Sequence, residues 1–328
     1  MGAAVDDRGW SNTRAWVEKT LGEGDRIKAI VPLRGGWTSQ MRRLDIEGKG
    51  EPVKGEPGKG EPRSLVLRSF VKPFFVKHAH GLLTREADML RFLAETPVPV
   101  ADLHGVDALA EHCDHPSLLM SWLPGRVRLD DEDVPRRTEL LARQLADIHG
   151  LFVPTRTRPR TYEAWTAPDR VRSPEGTRRP ELWRRTVDVI RRPPPPYRPC
   201  FLHRDFHPGN VLFTGHGADL AVTGVVDWVE TSWGPADLDV AHCSTALALL
   251  HGVDAGMRLA DDYSAAGGVL DGDARAHLYW RLLDALAFAP DAEKVAGPWR
   301  ELGRHDLTPM TLTHRLEDYL QALLTHYG

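Results

Sequence analysis

The stretch FLHRDFHPGNVLF, residues 201–213, crowds several side chains that could do chemistry around a Pro-Gly-Asn turn. Asp205 is the only acid in it, and a general base needs an ionised carboxylate held near its substrate. Asn210 lies five residues on and offers a neutral carbonyl oxygen, which suits a hard cation such as Mg²⁺. The strand-like run LAVTGVVDW then delivers Asp227 at its end. A carboxylate base, an amide ligand and a carboxylate ligand are the minimum set for handling a metal-bound phosphate.

The order H-x-D-x-x-x-x-N, then a strand, then D, is much more specific than any single member. HRDFHPGNVLF followed by GVVDWVETSWGPADLDVAH resembles the aminoglycoside phosphotransferase family. The members of this family are small-molecule kinases with a protein-kinase-like fold of two lobes. The resemblance extends over nearly the whole chain, from about residue 30 to 320, and is weakest in the last hundred residues.

The resemblance implies a role for each residue of this loop. Asp205 would be the catalytic base, Asn210 a Mg²⁺ ligand and Asp227 the principal Mg²⁺ ligand. His203 would order the loop through hydrogen bonds without transferring a proton, and Asp239 would brace the loop. Two other histidines carry no such assignment: one on the LADIHGL helix is interpreted as packed, and the role of the one in DFHPG stays open.

The resemblance also places nucleotide-binding residues upstream. RGGWTS lies between two strand-like runs, like the loop that covers the phosphates, and its predicted contacts are Gly35, Gly36, Trp37, Thr38 and Ser39. Arg68, in LVLR, stands where the fold normally has a phosphate-contacting lysine, and Glu86 would be its partner on a helix. Arginine carries a permanent charge on a planar fork, so it can still bridge Glu86 and the phosphates. The alternative is a solvated charge pair.

LLMSWLPG resembles the hinge between the lobes. Met120 would then stand beside the adenine pocket, and the backbone from Ser121 to Leu123 would hydrogen-bond the base. The stretch also reads as a simple buried strand, and the two interpretations are compatible.

The pattern of elements predicts an α+β protein with two lobes, and the family resemblance implies that the fold is protein-kinase-like. A small antiparallel sheet lobe would occupy 1–120, with a hinge at 121–125 and a larger, mainly helical lobe at 126–328. Within the first lobe, Thr84 is a candidate N-cap of the helix TREADMLRFLAE. Residues 48–63 carry three Lys-Gly-Glu-Pro repeats, which favour a mobile hairpin loop over a binding arm.

Composition excludes several classes of function. A net charge of −4 and a pI of about 6.4 give no basic surface for nucleic acid. Three widely spaced cysteines argue against a disulfide framework and a zinc site, and fit a reducing cytoplasm. No secretory signal or bilayer-spanning run is recognised, so no membrane partner is expected. We expect a soluble, cytoplasmic protein whose oligomeric state is open.

The predicted reaction is Mg²⁺-dependent transfer of the γ-phosphoryl group of ATP, or GTP, to a hydroxyl of an antibiotic such as an aminoglycoside. The acceptor pocket would include Glu230 and Trp233, although Trp233 could equally be core. Alternatives are a kinase of another metabolite (an amino alcohol, a sugar or a nucleoside) and a non-catalytic nucleotide-binding pseudokinase. A protein kinase is disfavoured because no Ala-Pro-Glu segment or long activation loop follows Asp227.

Overall fold

The computed structural model describes residues 10–33, 38–48 and 63–328. The chain divides into two compact units, Met1–Leu123 and Pro124–Gly328. The predicted phosphate-loop residues Gly35, Gly36 and Trp37, and nearly all of the Lys-Gly-Glu-Pro segment, lie outside the described residues.

The first unit is built on a five-stranded sheet in the order β1-β2-β3-β5-β4, with every neighbouring pair antiparallel. Its strands are β1 (Arg26–Leu33), β2 (Gln40–Glu47), β3 (Arg63–Ser69), β4 (Leu103–Asp107) and β5 (Ser117–Ser121). The central strand β3 is buried from Leu65 to Ser69 because it lies between its paired neighbours β2 and β5. Its helices are α1 (Ser11–Thr20) and α2 (Pro73–Leu93).

Helix α2 begins earlier than the sequence suggested. The prediction that Thr84 caps its N-terminus is wrong: the helix starts at Pro73, and Thr84 is an exposed position within it. Proline is favoured in the first turn because its missing N–H has no intrahelical partner there. The buried stripe runs through Ala79 and Leu83 to Leu90, so the apolar period continues past the exposed Gly81.

The second unit is mainly helical and has two small antiparallel ladders, β7 with β10 and β6-β8-β9. The strands are β6 (Arg126–Val127), β7 (Pro199–Leu202), β8 (Val211–Thr214), β9 (Ala221–Val225) and β10 (Ser232–Pro235). The helices are α3 (Val134–His149), α4 (Pro180–Ile190), α5 (Ala236–His251), α6 (Val253–Ala265), α7 (Ala274–Ala285), α8 (Glu293–Glu301) and α9 (Pro309–Tyr327). A small antiparallel sheet followed by a mainly helical region confirms the predicted α+β fold class.

Helix α5 is the centre of the second unit. Nearly all of its residues are buried, and it contacts α3, α6, α7 and α9. A helix whose residues are buried on every face needs neighbouring elements on every side. Its 16 residues are also fewer than the roughly 20 needed to cross a bilayer. Among the described residues, no helix is both long enough and apolar enough to span a membrane.

Candidate active site

The loop that carries the predicted base is fixed at both ends by strands. Strand β7 ends directly before His203, and β8 begins directly after Asn210. Between them, Arg204 takes a left-handed backbone conformation with φ of 74°, and Pro208–Asn210 forms a 3₁₀ turn. Non-glycine residues are uncommon in the left-handed region and persist only when their surroundings hold them there. The loop is therefore held in place by the surrounding fold.

Asp239, in the first turn of α5, supplies that hold. Its two carboxylate oxygens accept the backbone N–H groups of His203 at 2.7 Å and Arg204 at 2.8 Å. The ring of His149 lies 3.2 Å from the same carboxylate. Complete burial alone would raise the pKa of Asp239, but the hydrogen bond from His149 and the neighbouring positive charges outweigh it and lower that pKa. Asp239 is thus an ionised anchor beneath the loop.

The hydrogen bonds of His203 fix its tautomer. The backbone N–H of Asp205 donates to Nδ1 at 3.2 Å, so the remaining ring nitrogen, Nε2, donates to the carbonyl of Val226 at 3.0 Å. The ring is fully buried and lies against Trp228, with ring centroids 4.4 Å apart. Burial lowers the pKa of His203, in agreement with a neutral ring. The residue joins the loop to the end of β9.

Asn210 orients the predicted base. Its side-chain amide donates to the carbonyl of Asp205 at 2.9 Å and to the carboxylate of Asp205 at 3.2 Å. Both contacts use the amide nitrogen. The amide oxygen, which the sequence predicts as a Mg²⁺ ligand, takes no part in either.

Asp227 reaches the same end of the β8–β9 ladder as Asn210. Val211, the residue after Asn210, pairs with Val225, and the N–H of Val226 donates to the carbonyl of Asn210 at 3.0 Å. Asp227 follows with φ of 66° and is half-buried. Aspartate is one of the few residues that enter the left-handed region readily. Two oxygen-bearing side chains therefore emerge where the ladder ends, and this donor set fits Mg²⁺.

In the first unit, Arg68 and Glu86 form a buried ion pair. One guanidinium nitrogen of Arg68 lies 2.8 and 2.9 Å from the two carboxylate oxygens of Glu86. The side chains are 6% and 2% exposed, so the alternative of a solvated pair is wrong. The other terminal nitrogen donates to Thr38 at 3.3 Å, and the next residue, Ser39, is buried. The described part of the predicted phosphate loop thus contacts the predicted phosphate-binding arginine.

The model of the phosphotransferase enzyme family matches residues 30–279. The chain belongs to this family. It is therefore a phosphotransferase with an alcohol group as acceptor. The suspected resemblance to aminoglycoside phosphotransferases is confirmed at the level of the family.

Solved structures share the fold of this phosphotransferase at low sequence identity. A protein of Ralstonia eutropha JMP134, provisionally assigned as an aminoglycoside phosphotransferase, is 18% identical with a TM-score of 0.60, and 96% of each chain is covered. The macrolide 2'-phosphotransferase MphH of Brachybacterium faecium is 13% identical with a TM-score of 0.55, covering 92% of this chain and 97% of that one. A thermostable mutant of aminoglycoside phosphotransferase APH(4)-Ia, in a ternary complex with ADP and hygromycin B, is 13% identical with a TM-score of 0.58, covering 97% and 100%. Among curated proteins, none matches this chain by sequence.

In the predicted hinge of the phosphotransferase, two backbone N–H groups form hydrogen bonds within the first unit. The N–H of Ser121 donates to the carbonyl of Asp102, and that of Trp122 donates to the carbonyl of Ser64. Both of these N–H groups are therefore bonded within the first unit, and the contact of the Ser121–Leu123 backbone with a nucleotide base stays a prediction. Met120 is buried and pairs with the central strand β3.

The two predicted acceptor residues contact arginines. Glu230 forms an ion pair with Arg160 at 2.6 Å, and the guanidinium of Arg158 lies 4.6 Å from the ring centre of Trp233. Trp233 is half-buried in β10, so it is not a fully enclosed core residue. The structure shows no contact of either residue with Asp205 among those it describes.

The sequence did not reveal a further residue of the site, His242 on α5. Its Nε2 lies 3.2 Å from a carboxylate oxygen of Asp205, and its Nδ1 lies 3.1 Å from Asp284 on α7. His207, whose role stayed open, lies 4.0 Å from Asp205 and accepts the N–H of Gly209 at 3.0 Å. The available signal was one of composition: His242 is a basic residue in a stretch, AHCSTALALL, whose other residues are small or aliphatic.

Proposed function

We propose that this phosphotransferase transfers the γ-phosphoryl group of ATP or GTP to a hydroxyl group of a small molecule in a Mg²⁺-dependent reaction. One observation carries the proposal. Asp205, Asn210 and Asp227, separated in sequence, come together through a direct side-chain bond and the end of one strand ladder. Related folds have been solved with ADP or AMP-PNP together with hygromycin B, which supports a nucleotide and a small-molecule acceptor as the two substrates.

Asp205 acts as the base. Burial by itself would raise the pKa of its carboxyl, but the hydrogen bond and charge of the adjacent His242 outweigh burial and hold that pKa well below its usual range. Asp205 is therefore ionised at neutral pH and accepts a hydrogen bond from the acceptor hydroxyl. Such a weak base takes the proton late in the reaction. General-base assistance of this kind contributes about 10² to 10⁴ in rate.

Asn210 and Asp227 are the residues that would hold Mg²⁺. A bound Mg²⁺ would supply positive charge to the phosphates of the nucleotide. Asn210 has a second task, because its amide nitrogen fixes the orientation of the base that it neighbours. Arg68, held by Glu86 and bonded to Thr38, neutralises the phosphates that are not transferred. Met120 and the backbone of Ser121 to Leu123 contact the adenine.

The acceptor is a hydroxyl-bearing antibiotic such as an aminoglycoside, or another metabolite. A polycationic aminoglycoside needs carboxylates that are not already neutralised, and Glu230 is paired with Arg160. Residues 151–200 contain twelve arginines and five acidic residues. This local excess of positive charge favours testing neutral and weakly charged acceptors beside the aminoglycosides, and fold relatives include a macrolide phosphotransferase.

The test is an acceptor panel incubated with Mg²⁺ and either ATP or GTP, with phosphorylated products detected by mass spectrometry. The panel contains aminoglycosides, macrolides, nucleosides, sugars and amino alcohols, together with a peptide mixture as protein-kinase control. Asp205→Asn serves as the matched inactive variant. We expect a product from one acceptor class with the wild-type protein alone. Nucleotide binding without transfer to any acceptor would favour the pseudokinase alternative.

A further inference from the structure

His242 lies between two carboxylates in the interior of the second unit. Its Nε2 is 3.2 Å from Oδ1 of Asp205, and its Nδ1 is 3.1 Å from Oδ1 of Asp284. An ionised carboxylate can only accept hydrogen bonds. A ring that faces a carboxylate with each nitrogen therefore carries a proton on both, as an imidazolium.

The surroundings of His242 favour the same charge state. The side chain is 5% exposed, its ring meets the edge of Trp165 at 4.9 Å, and it stacks on Phe288 at 5.6 Å. The second oxygen of Asp284 is buried without a hydrogen-bond partner among the described residues. Without the imidazolium, Asp284 would be a buried anion with little compensation, which is costly. The two carboxylates outweigh the effect of burial and raise the pKa of His242 to about 9.

We propose that His242, fixed by Asp284, is a positioning residue that orients the carboxylate of Asp205 for phosphoryl transfer. This inference rests on the proposed function of Asp205. Together with Asn210, His242 holds the base from two sides, since Asn210 bonds one carboxylate oxygen and His242 faces the other.

The role of His242 in the reaction is electrostatic and geometric. A bond forms between the acceptor oxygen and the γ-phosphorus, and the bond from that phosphorus to the β–γ bridging oxygen breaks. The acceptor proton passes to Asp205, while His242 keeps both of its protons throughout. A permanent positive charge beside Asp205 lowers its proton affinity. His242 therefore improves the orientation of the base at the expense of its intrinsic basicity.

A metal site is the other arrangement that these side chains suggest, because ligand atoms of Asp205, His207 and His242 all lie within 4.8 Å of one another. The hydrogen bonds oppose it. Nδ1 of His207 accepts the N–H of Gly209, so in the neutral ring Nε2 carries the proton and cannot donate a lone pair to a cation. Both nitrogens of His242 are engaged by carboxylates. The cluster presents hydrogen-bond donors to Asp205.

Several charged groups surround His242. Burial lowers the pKa of His207, on the catalytic loop, to about 4, so this residue adds no charge at neutral pH. Lys294 of α8 lies over Phe288, and its positive charge acts on Asp284 and Asp205. The guanidinium of Arg204 stacks on Trp165 at 4.1 Å. Lys294 and Arg204 are positively charged and oppose the protonation of His242, so the protonated state depends on Asp205 and Asp284.

The first experiment reads the ring directly and requires no turnover. In protein labelled with ¹⁵N-histidine, the ring signals are followed from pH 5 to 10 and His242 is assigned by its absence in His242→Gln. We expect the ring of His242 to stay doubly protonated at pH 8 in the wild type, and Asp284→Asn to shift its titration to lower pH. A ring that is neutral at pH 7.5, or that loses a nitrogen proton on addition of Zn²⁺, would overturn the proposal.

The second experiment uses hydrolysis of Mg·ATP as the probe of the base, because it needs no identified acceptor. Removing an opposite charge within about 4–6 Å raises the pKa of a carboxylate by about 1–3 units. In His242→Gln, the acidic limb of the pH–rate profile should therefore move to higher pH by about 1–3 units. The kcat should be about 10- to 100-fold lower, and KM for ATP should be unchanged. Asp284→Asn should move the acidic limb in the same direction by a smaller number of pH units.

The controls separate this inference from the proposed function. Asp205→Asn should remove the acidic limb altogether, and if it leaves hydrolysis unaffected the assignment of the base fails. If Asp205→Asn is inactive but His242→Gln has an unmoved acidic limb, the role of His242 alone is refuted. Thermal melting of each variant verifies that it is folded.

Discussion

The amide of Asn210 donates to both the carbonyl and the carboxylate of Asp205, at 2.9 and 3.2 Å. The predicted metal ligand therefore also orients the predicted base, through a different atom of the same side chain. A change at Asn210 should disturb two functions at once, whereas changes at Asp205 and Asp227 separate them.

Replacement of Asp205 should abolish turnover and leave nucleotide binding intact. We expect Asp205→Ala and the isosteric Asp205→Asn to lower kcat by about 10² to 10⁴, the usual contribution of a general base. The dissociation constant for Mg·ATP, measured by calorimetry, should stay within a few-fold of the wild-type value. Near-normal turnover in either variant would refute the assignment.

Replacement of Asp227 should weaken Mg²⁺-dependent nucleotide binding as well as turnover. Loss of a charged ligand costs on the order of 1.4 kcal/mol, a tenfold change in affinity, or more. Titration of ATP with and without Mg²⁺ measures the difference. Because Asp227 has φ of 66°, Ala adds backbone strain, and Asp227→Asn, which tolerates this conformation, is the matched control. Equal effects with and without Mg²⁺ would contradict the role of Asp227 as a ligand.

The buried pair of Arg68 and Glu86 should matter for stability and for nucleotide affinity. Glu86→Gln leaves a buried guanidinium without its anion and should lower the free energy of unfolding by about 3–5 kcal/mol. Arg68→Lys keeps the charge but cannot span both Glu86 and Thr38, so we expect a smaller loss of stability and weaker ATP binding. Urea denaturation and ATP titration test the two variants. An Arg68→Lys protein with unchanged ATP affinity would exclude a specific phosphate contact by the guanidinium.

Asp239 should make stability sensitive to acid. The pKa of Asp239 is lowered in the folded protein. Its contribution to the free energy of unfolding is therefore complete above the unfolded-state pKa of about 4 and is lost as pH falls through the folded-state pKa. Each hydrogen bond to a charged group is worth about 1.5–3 kcal/mol, so Asp239→Asn should lose a few kcal/mol at pH 7 and less at pH 3. Denaturation at both pH values measures this, with exposed Asp219→Asn as control.

His242 should make stability sensitive to alkali. The pKa of this ring is raised to about 9 in the folded protein, against about 6.5 when unfolded. Its contribution to the free energy of unfolding, a few kcal/mol, is therefore complete below about pH 6.5 and is lost as pH rises toward 9. The wild-type protein should lose this stability across that range in urea denaturation, while His242→Gln should not. A difference between the two proteins that is the same at pH 6 and pH 9 would contradict it.

Local patterns were sufficient for much of the fold and for the identity of the motif. The runs around Leu65 and Val211 are short, apolar and bounded by turn residues, and both are strands. The start of α2 was misplaced because Gly81 and the polar residues after it resemble a boundary, whereas the buried stripe passes through them.

Contacts between residues distant in sequence were not predicted. The N–H of Ser121 donates to the carbonyl of Asp102. Glu230, which the sequence places in the acceptor pocket, forms an ion pair with Arg160, and the next residue, Thr161, pairs with Trp233 of β10. Whether a polar group is available to a ligand depends on which neighbours the fold supplies, and no local pattern encodes that.

The sequence by itself determined that Asp205, Asn210 and Asp227 lie in the short connections around β7, β8 and β9, because strands and turns of this kind are local patterns, and from that order came the prediction that these residues handle the phosphate. Only the tertiary structure decided what surrounds the base. His242 and Asp284 are 42 residues apart and on different helices, and they meet beside Asp205 because α5 and α7 pack against each other. The charge state of a buried group is the sum of such long-range contacts, so it is known only once the chain has folded.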